Sequence, residues 1–308
     1  MNRLFFCAGR KSTHIVEKRL QSARRNDNAM KIAVIGMGLI GGSLARTIKL
    51  HKKDAFIYGC DLNQDTLRLA QLMGAMDEEL TEASLRECDL VLVALYPHAI
   101  VTWIQEHAES FKSGAVVIDC GGVKKTIVEA IRPLARGKDW HYIGGHPMAG
   151  REVSGFRYSR DDLFDKASMI LTPDPEEDLQ VMQNVRNFFS DIGFRRIQFT
   201  DPATHDEMIA YTSQLAHVVS SAYVKSELAQ RHRGFSAGSF ADMTRVARVG
   251  EEMWTELFFD NKEALLPEIE GLISRLSEYR DALKEDDPDR MRELIREGRL
   301  VKEGLMET

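Results

Sequence analysis

Cysteine is scarce: only Cys7, Cys60, Cys88 and Cys120 occur in 308 residues. No two form a CxxC pair, and three fall in or beside expected strands. Neither a disulfide framework nor a metal site is indicated, and the thiols read as free in a reducing, cytoplasmic compartment. No stretch approaches the roughly 20 apolar residues that span a bilayer. Positive charge is not in excess either: 41 Lys and Arg against 47 Asp and Glu leave a net charge of -6. That argues against a general nucleic-acid binder, whose phosphate contacts need clustered cations. Internal repeats and low-complexity linkers are missing too. What is present, 44% hydrophobic and 29% charged residues, is an ordinary globular balance, long enough to build a core without staples.

Residues 1–29 stand apart, with seven Lys and Arg against two Asp and Glu. Their apolar stretch Leu4–Ala8 is too short for a signal-peptide core. The segment reads as a basic, disordered extension ahead of Met30. Residues 30–200 then read as one domain and 201–308 as a second.

From Lys31 short apolar runs alternate with amphipathic stretches. Ile32–Ile35, Phe56–Cys60, Leu90–Leu95, Val116–Ile118, Ser168–Leu171 and Arg196–Phe199 read as strands. Helical spacing covers Leu39–His51, Gln64–Met73, Ala99–Phe111, Lys125–Ala135 and about Glu176–Ser190. Such alternation implies βαβ units and a parallel, doubly wound sheet. After Thr200 it stops. Pro202–Arg231 reads as one helix roughly 40 Å long, followed by helices near Phe240–Val249, Glu251–Phe259, Asn261–Glu285 and Asp289–Glu303. This all-helical half is expected to pack on a second copy of itself.

Gly36-Met37-Gly38-Leu39-Ile40-Gly41 is a GxGxxG between a strand and a helix. Its glycines permit a tight turn, a close pyrophosphate and close helix–strand packing, with the anion at the positive helix end. Asp61 ends the second strand, where an acid binds the adenosine ribose hydroxyls. Its charge repels a 2′-phosphate and no Arg follows it, so NAD is favoured over NADP. The bland alternative for Asp61 is a helix cap before Asn63.

Three further segments invite chemistry. Gly144-Gly145-His146-Pro147-Met148-Ala149-Gly150 reads as an irregular loop at a strand end, presenting His146 where ligands of open α/β sheets gather. In Thr212-Ser213-Gln214-Leu215-Ala216-His217, Ser213 and His217 share one helix face, either in a site or in an interhelical contact. Asp242-Met243-Thr244-Arg245 offers a guanidinium fork for a carboxylate, or else a buried pair of Arg245 with Asp242. Lys124, after the Val116–Ile118 strand, reads as an exposed helix-start residue, with a substrate contact as the alternative.

GMGLIGGS, HPMAG, the TSQLAH strip and DMTR followed by Met253-Trp254 together resemble the prephenate and arogenate dehydrogenase family over about residues 31–290. The resemblance implies a Rossmann-like domain followed by a helical dimerisation domain, NAD as cofactor, and a homodimer. It further implies NAD-dependent oxidative decarboxylation of a cyclohexadienyl dicarboxylate in tyrosine biosynthesis. His146 would draw the proton from the ring hydroxyl and Arg245 would bind a carboxylate. His217 and Ser213 would line the pocket, and Glu152 and Asp242 would stand at its mouth as gates. Gly122 departs from the pattern, since many members carry a Ser whose hydroxyl orients the reacting group. Arg151, pointing inward, would favour prephenate over arogenate; in solvent it would say nothing. A reductase of β-hydroxyacids or imines with the same two-domain plan, and a non-catalytic dinucleotide sensor, are the competing readings. HPMAG opposes the first, and convergence of His146, His217 and Arg245 would oppose the second.

Overall fold

The computed structural model describes residues 29–306; Cys7 and, except for Ala29, the basic segment lie outside them. Two compact units are formed, one from the described residues up to Asp206 together with Arg248–Asp260, the other from Glu207–Ala247 and the described residues from Asn261 onward.

The first unit is built on an eight-stranded sheet ordered β3-β2-β1-β4-β5-β6-β7-β8. Its strands are β1 (Lys31–Ile35), β2 (Phe56–Cys60), β3 (Glu78–Glu79), β4 (Leu90–Val93), β5 (Val116–Asp119), β6 (His141–Pro147), β7 (Ser168–Thr172) and β8 (Arg196–Phe199). Every pairing is parallel except β6 with β7. Alternate residues face opposite layers. Ile32, Val34 and Leu92 join a cluster with Leu44, Ile48 and Phe189. Ala33, Ile35, Val91 and Val93 join the other with Ile100, Trp103 and Ile104. Burial on both faces is why these strands read as unbroken apolar runs.

Helices α1 (Leu39–His51), α2 (Gln64–Leu72), α3 (Glu82–Leu85), α4 (Pro97–His107), α5 (Lys125–Ala135) and α6 (Leu179–Asp191) connect the strands. Local chemistry starts several of them. Asn63 caps α2 through the N–H groups of Asp65 and Thr66, so the cap is not Asp61. Asp178 caps α6 in the same way. The strand order reverses between β1 and β4, which opens a crevice at their carboxyl ends.

The expected loop around His146 is instead the end of β6. Ile143 pairs with Ile118 of β5, and Gly144 through Pro147 pair with Thr172 through Met169 of β7. The two glycines are there for space. A Cβ on Gly144 would lie 2.3 Å from Thr172 Oγ1, and one on Gly145 would lie 2.6 Å from the Asp119 carbonyl oxygen.

The long helix expected over Pro202–Arg231 is also divided. It comprises α7 (Pro202–Ile209), a π turn at Ala210–Gln214, α8 (Leu215–Tyr223) and a 3-10 turn at Glu227–Arg231. In the π turn the buried Gln214 accepts a 2.8 Å hydrogen bond from Asn261. Past Tyr223 the Ser226 hydroxyl accepts from the Leu228 N–H at 3.3 Å, a side-chain bond that competes with helix continuation. Helices α9 (Gly238–Thr244), α10 (Glu251–Asp260), α11 (Lys262–Lys284) and α12 (Pro288–Gly304) complete the chain. Of these α10 belongs to the first unit. Its Leu257 is buried in the second cluster with Met253 and Trp254 against it, and Glu256 accepts the His98 backbone N–H at 2.6 Å. No helix among the described residues is long and apolar enough to cross a membrane.

Candidate active site

The turn after β1 has the shape its glycines imply. Gly36 has φ +84°, and a Cβ there would lie 2.4 Å from the Ala94 carbonyl oxygen. A Cβ on Gly41 would lie 1.9 Å from the Gly36 oxygen, whereas Gly38 faces open space with no atom within 4 Å. Leu39 and Ile40 open α1, whose first turn has no acidic residue and no side-chain cap. Its first N–H groups and positive dipole end therefore suit a pyrophosphate. Asp61, at the end of β2, accepts the Met37 N–H at 2.9 Å and the Asn63 N–H at 2.9 Å. The carboxylate is thus tied to the glycine turn beside which a ribose would lie.

His146 sits at the same edge of the sheet, on the third strand from β1, about 14 Å along at roughly 4.8 Å per strand. That edge is held by a buried ion pair the sequence did not suggest. Lys124 is fully buried and not an exposed helix-start residue. Its ammonium contacts Asp119 Oδ1 and donates to the Gly145 carbonyl at 2.6 Å. Asp119 also accepts from the Gly121 N–H at 2.9 Å, the Tyr142 hydroxyl at 2.8 Å and the Gly145 N–H at 3.3 Å. Four donors around one buried carboxylate replace the water it lost. The same bonds grip both backbone groups of Gly145, the residue before His146. Burial and the Asp119 charge raise the Tyr142 hydroxyl well above its usual value and push the Cys120 thiol up to about 12. Cys88 and Cys120 are free thiols.

His146 is half-buried, and its Nδ1 lies 2.9 Å from Nε2 of His205. His205, at the start of α7 and 2% exposed, puts its Nδ1 2.6 Å from Asp206 Oδ1. Asp206 in turn accepts the Lys124 N–H at 2.8 Å and the Lys125 N–H at 2.9 Å. These are the opening N–H groups of α5, which has no side-chain cap from its own first turn. Burial, then His205 and the Lys124 cation, hold His146 well below the usual histidine value. Burial lowers His205 too, against the raising effect of its bond to Asp206. The shift favours the neutral imidazole, the form a general base needs. The sequence reading missed His205 and Asp206; a His-Asp pair in the first turn after the last strand was their only signal.

The second unit brings its own candidates together. Ser213 lies half-buried in the π turn and His217 half-buried in α8. His217 Nδ1 meets the Val246 carbonyl at 2.8 Å, so that nitrogen donates. This bond anchors the turn Arg245–Ala247 on α8 directly beside Arg245. Asp242, in the last turn of α9, and Arg245 are both exposed. In the first unit Arg151 and Glu152 are exposed after β6. Gly122 is half-buried between β5 and α5, and a Cβ there would lie 3.1 Å from Leu257 Cδ2. A small shift of one leucine methyl would admit a serine.

Comparison with known proteins agrees with this architecture. The prephenate dehydrogenase nucleotide-binding domain model matches residues 44–198, and the prephenate dehydrogenase dimerization domain model matches residues 201–297. A cyclohexadienyl dehydrogenase of Zymomonas mobilis is 32% identical over 284 residues, covering 89% of this chain and 95% of that one. A prephenate dehydrogenase of Bacillus subtilis is 26% identical over 90% of this chain and 77% of its own. The crystal structure of prephenate dehydrogenase from A. aeolicus, in complex with hydroxyphenyl propionate and NAD+, superposes with a TM-score of 0.79 at 27% identity, covering 91% and 98% of the two chains. Synechocystis arogenate dehydrogenase shares the fold, with a TM-score of 0.75 at 24% identity over 90% and 100% of the two chains. With both of the family's domains matched in order and a relative at 32% identity along nearly its full length, the chain belongs to the prephenate dehydrogenase family.

Proposed function

We infer that the protein catalyses NAD-dependent oxidative decarboxylation of prephenate to 4-hydroxyphenylpyruvate, a step of tyrosine biosynthesis. The observation that carries this is His146, a neutral imidazole held by its Nδ1 alone on the sheet edge that bears the dinucleotide turn. NAD bound at that turn supplies the hydride acceptor. His146 Nε2 accepts the ring hydroxyl proton as hydride departs from the carbon bearing that hydroxyl. Loss of the ring carboxylate as carbon dioxide leaves its electron pair to make the ring aromatic. The proton then returns to the phenolate oxygen, so none is taken up overall. Arg245 is assigned a substrate carboxylate. His217 and Ser213 are assigned to the pocket lining, and Glu152 and Asp242 to gating at its mouth.

Asp61 supports NAD over NADP, because a carboxylate beside the ribose repels a 2′-phosphate. The choice of prephenate follows the descriptions of the two matching family models. Arogenate is the alternative substrate, since the exposed Arg151 says nothing about the choice and a relative at 32% identity is a cyclohexadienyl dehydrogenase. A homodimer through the helical half accords with the dimerization-domain match and with the exposed apolar residues Leu266, Ile273, Leu276 and Leu283 of α11. Free thiols accord with a cytoplasmic location. The test is a four-way assay with prephenate or arogenate and NAD or NADP, following reduced cofactor. Turnover is expected with prephenate and NAD; none in any mixture refutes an enzyme of this kind, and arogenate alone would transfer the reading to that substrate.

A further inference from the structure

We propose that Asp206 and His205 are positioning residues for His146, fixing it as the Nδ1–H tautomer and sharing the charge it acquires when Nε2 takes a proton. The catalytic half of this inference rests on His146 being the base; the tautomer half stands on geometry alone.

The direction of each hydrogen bond follows from the end of the chain. Asp206 accepts backbone N–H groups on both oxygens, from Lys124 on one and Lys125 on the other. It sits at the positive end of α5, which favours the carboxylate form. His205 Nδ1, 2.6 Å from that carboxylate, must therefore carry the hydrogen and donate. A neutral His205 then has a bare Nε2, able only to accept. Its partner at 2.9 Å is His146 Nδ1, which must donate. That leaves Nε2 of His146 with its lone pair, and among the described residues it makes no hydrogen bond. This is the triad logic in which a base is oriented by a third group, lengthened by one imidazole.

Capping α5 explains Asp206 but not His205. A helix cap needs only the carboxylate, whereas here a 2% exposed imidazole is wedged between it and a second imidazole. The other charged groups that act on the pair are Lys124 and Asp119. Lys124 and Tyr142 are both committed to Asp119, so Asp206 is the anion in direct contact with the imidazole pair.

The test begins with nitrogen NMR of histidine-labelled wild-type protein without ligand. His146 is expected to carry its proton on Nδ1 with Nε2 bare; an Nε2–H tautomer overturns the proposal whatever the enzyme's substrate. His205→Leu should mix the tautomers and lower kcat about 10²-fold or more, with the KM for NAD little changed. His205→Gln keeps an acceptor oxygen for His146 and should recover about 10-fold of that loss. Asp206→Asn should move the acid limb of kcat/KM to lower pH, because the imidazolium loses its anion. A purely structural role would scale the profile down without moving the limb, and that result, or Gln performing no better than Leu, also overturns the proposal. Should a variant fail to fold, the wild-type spectrum still decides. A wild-type enzyme with the expected tautomer but no turnover of prephenate or arogenate refutes the functional reading and leaves the tautomer assignment standing.

Discussion

The rings of His146 and His205 stand 5.1 Å apart between centroids, tilted by 58°, and are joined edge to edge by one 2.9 Å hydrogen bond. Two histidines in such contact cannot both be charged at modest cost. The Asp206 carboxylate behind them decides which nitrogens carry protons.

His146→Asn removes the proposed base and leaves the glycine turn untouched. Turnover should fall about 10²–10⁴-fold while NAD titrated by fluorescence binds with unchanged affinity. Arg245→Leu should instead act on substrate binding, raising KM for prephenate about 10-fold or more through loss of a charge-assisted bond. A fully active Asn variant would remove His146 from the mechanism, and an unchanged KM would demote Arg245.

Asp61→Ala removes the acceptor of the Met37 N–H and the charge that opposes a 2′-phosphate. The KM for NAD should rise about 10-fold or more, and the preference for NAD over NADP should narrow. Steady-state assays with both cofactors read this out. Retention of the full wild-type preference would mean that discrimination lies elsewhere.

Lys124→Met keeps the volume of a fully buried side chain but strands Asp119. Breaking a buried ion pair from one side costs about 3–5 kcal/mol. The remaining donors, Gly121, Tyr142 and Gly145, set the expectation at about 3 kcal/mol. The Lys124→Met/Asp119→Asn double variant should recover part of it. Denaturant midpoints test both; a single-variant loss under about 1 kcal/mol would be that of a surface pair.

Acid should destabilise the fold through the same histidines. Both have folded values below the unfolded reference of about 6.5. Between that reference and the depressed folded values, the unfolded chain binds more protons than the native one. Stability therefore rises with pH in that window and is lost as pH falls below about 6.5, each group contributing at most about 1.4 kcal/mol per pH unit. Unfolding midpoints across this range should be flatter for His205→Gln than for the wild type. Equal slopes would mean that His205 titrates alike in both states.

The dinucleotide half was legible because its determinants are local. The GxGxxG, the apolar strands and the acid ending β2 each depend on neighbours a few residues away, and alternation along the chain reveals a sheet buried on both faces. The end of β6 was not legible. Gly144, Gly145 and Pro147 carry the composition of a turn, and only β7 and the Asp119 carbonyl, brought alongside by the sheet, show why small residues are needed in a strand. Lys124 next to a predicted helix start looks solvated, until β5 places Asp119 against it.

Sequence alone determined the alternation of strands and helices and the position of the phosphate turn, which follow from periodicity and from residue types whose conformational needs are short-ranged. His146 stood out through its HPMAG motif. Tertiary structure alone decided which nitrogen of that imidazole is bare and how its charge is held. The decision comes from Asp206, 82 positions beyond the Lys124 N–H it caps. Hydrogen-bond direction is a property of a closed network, and no stretch of chain contains this one.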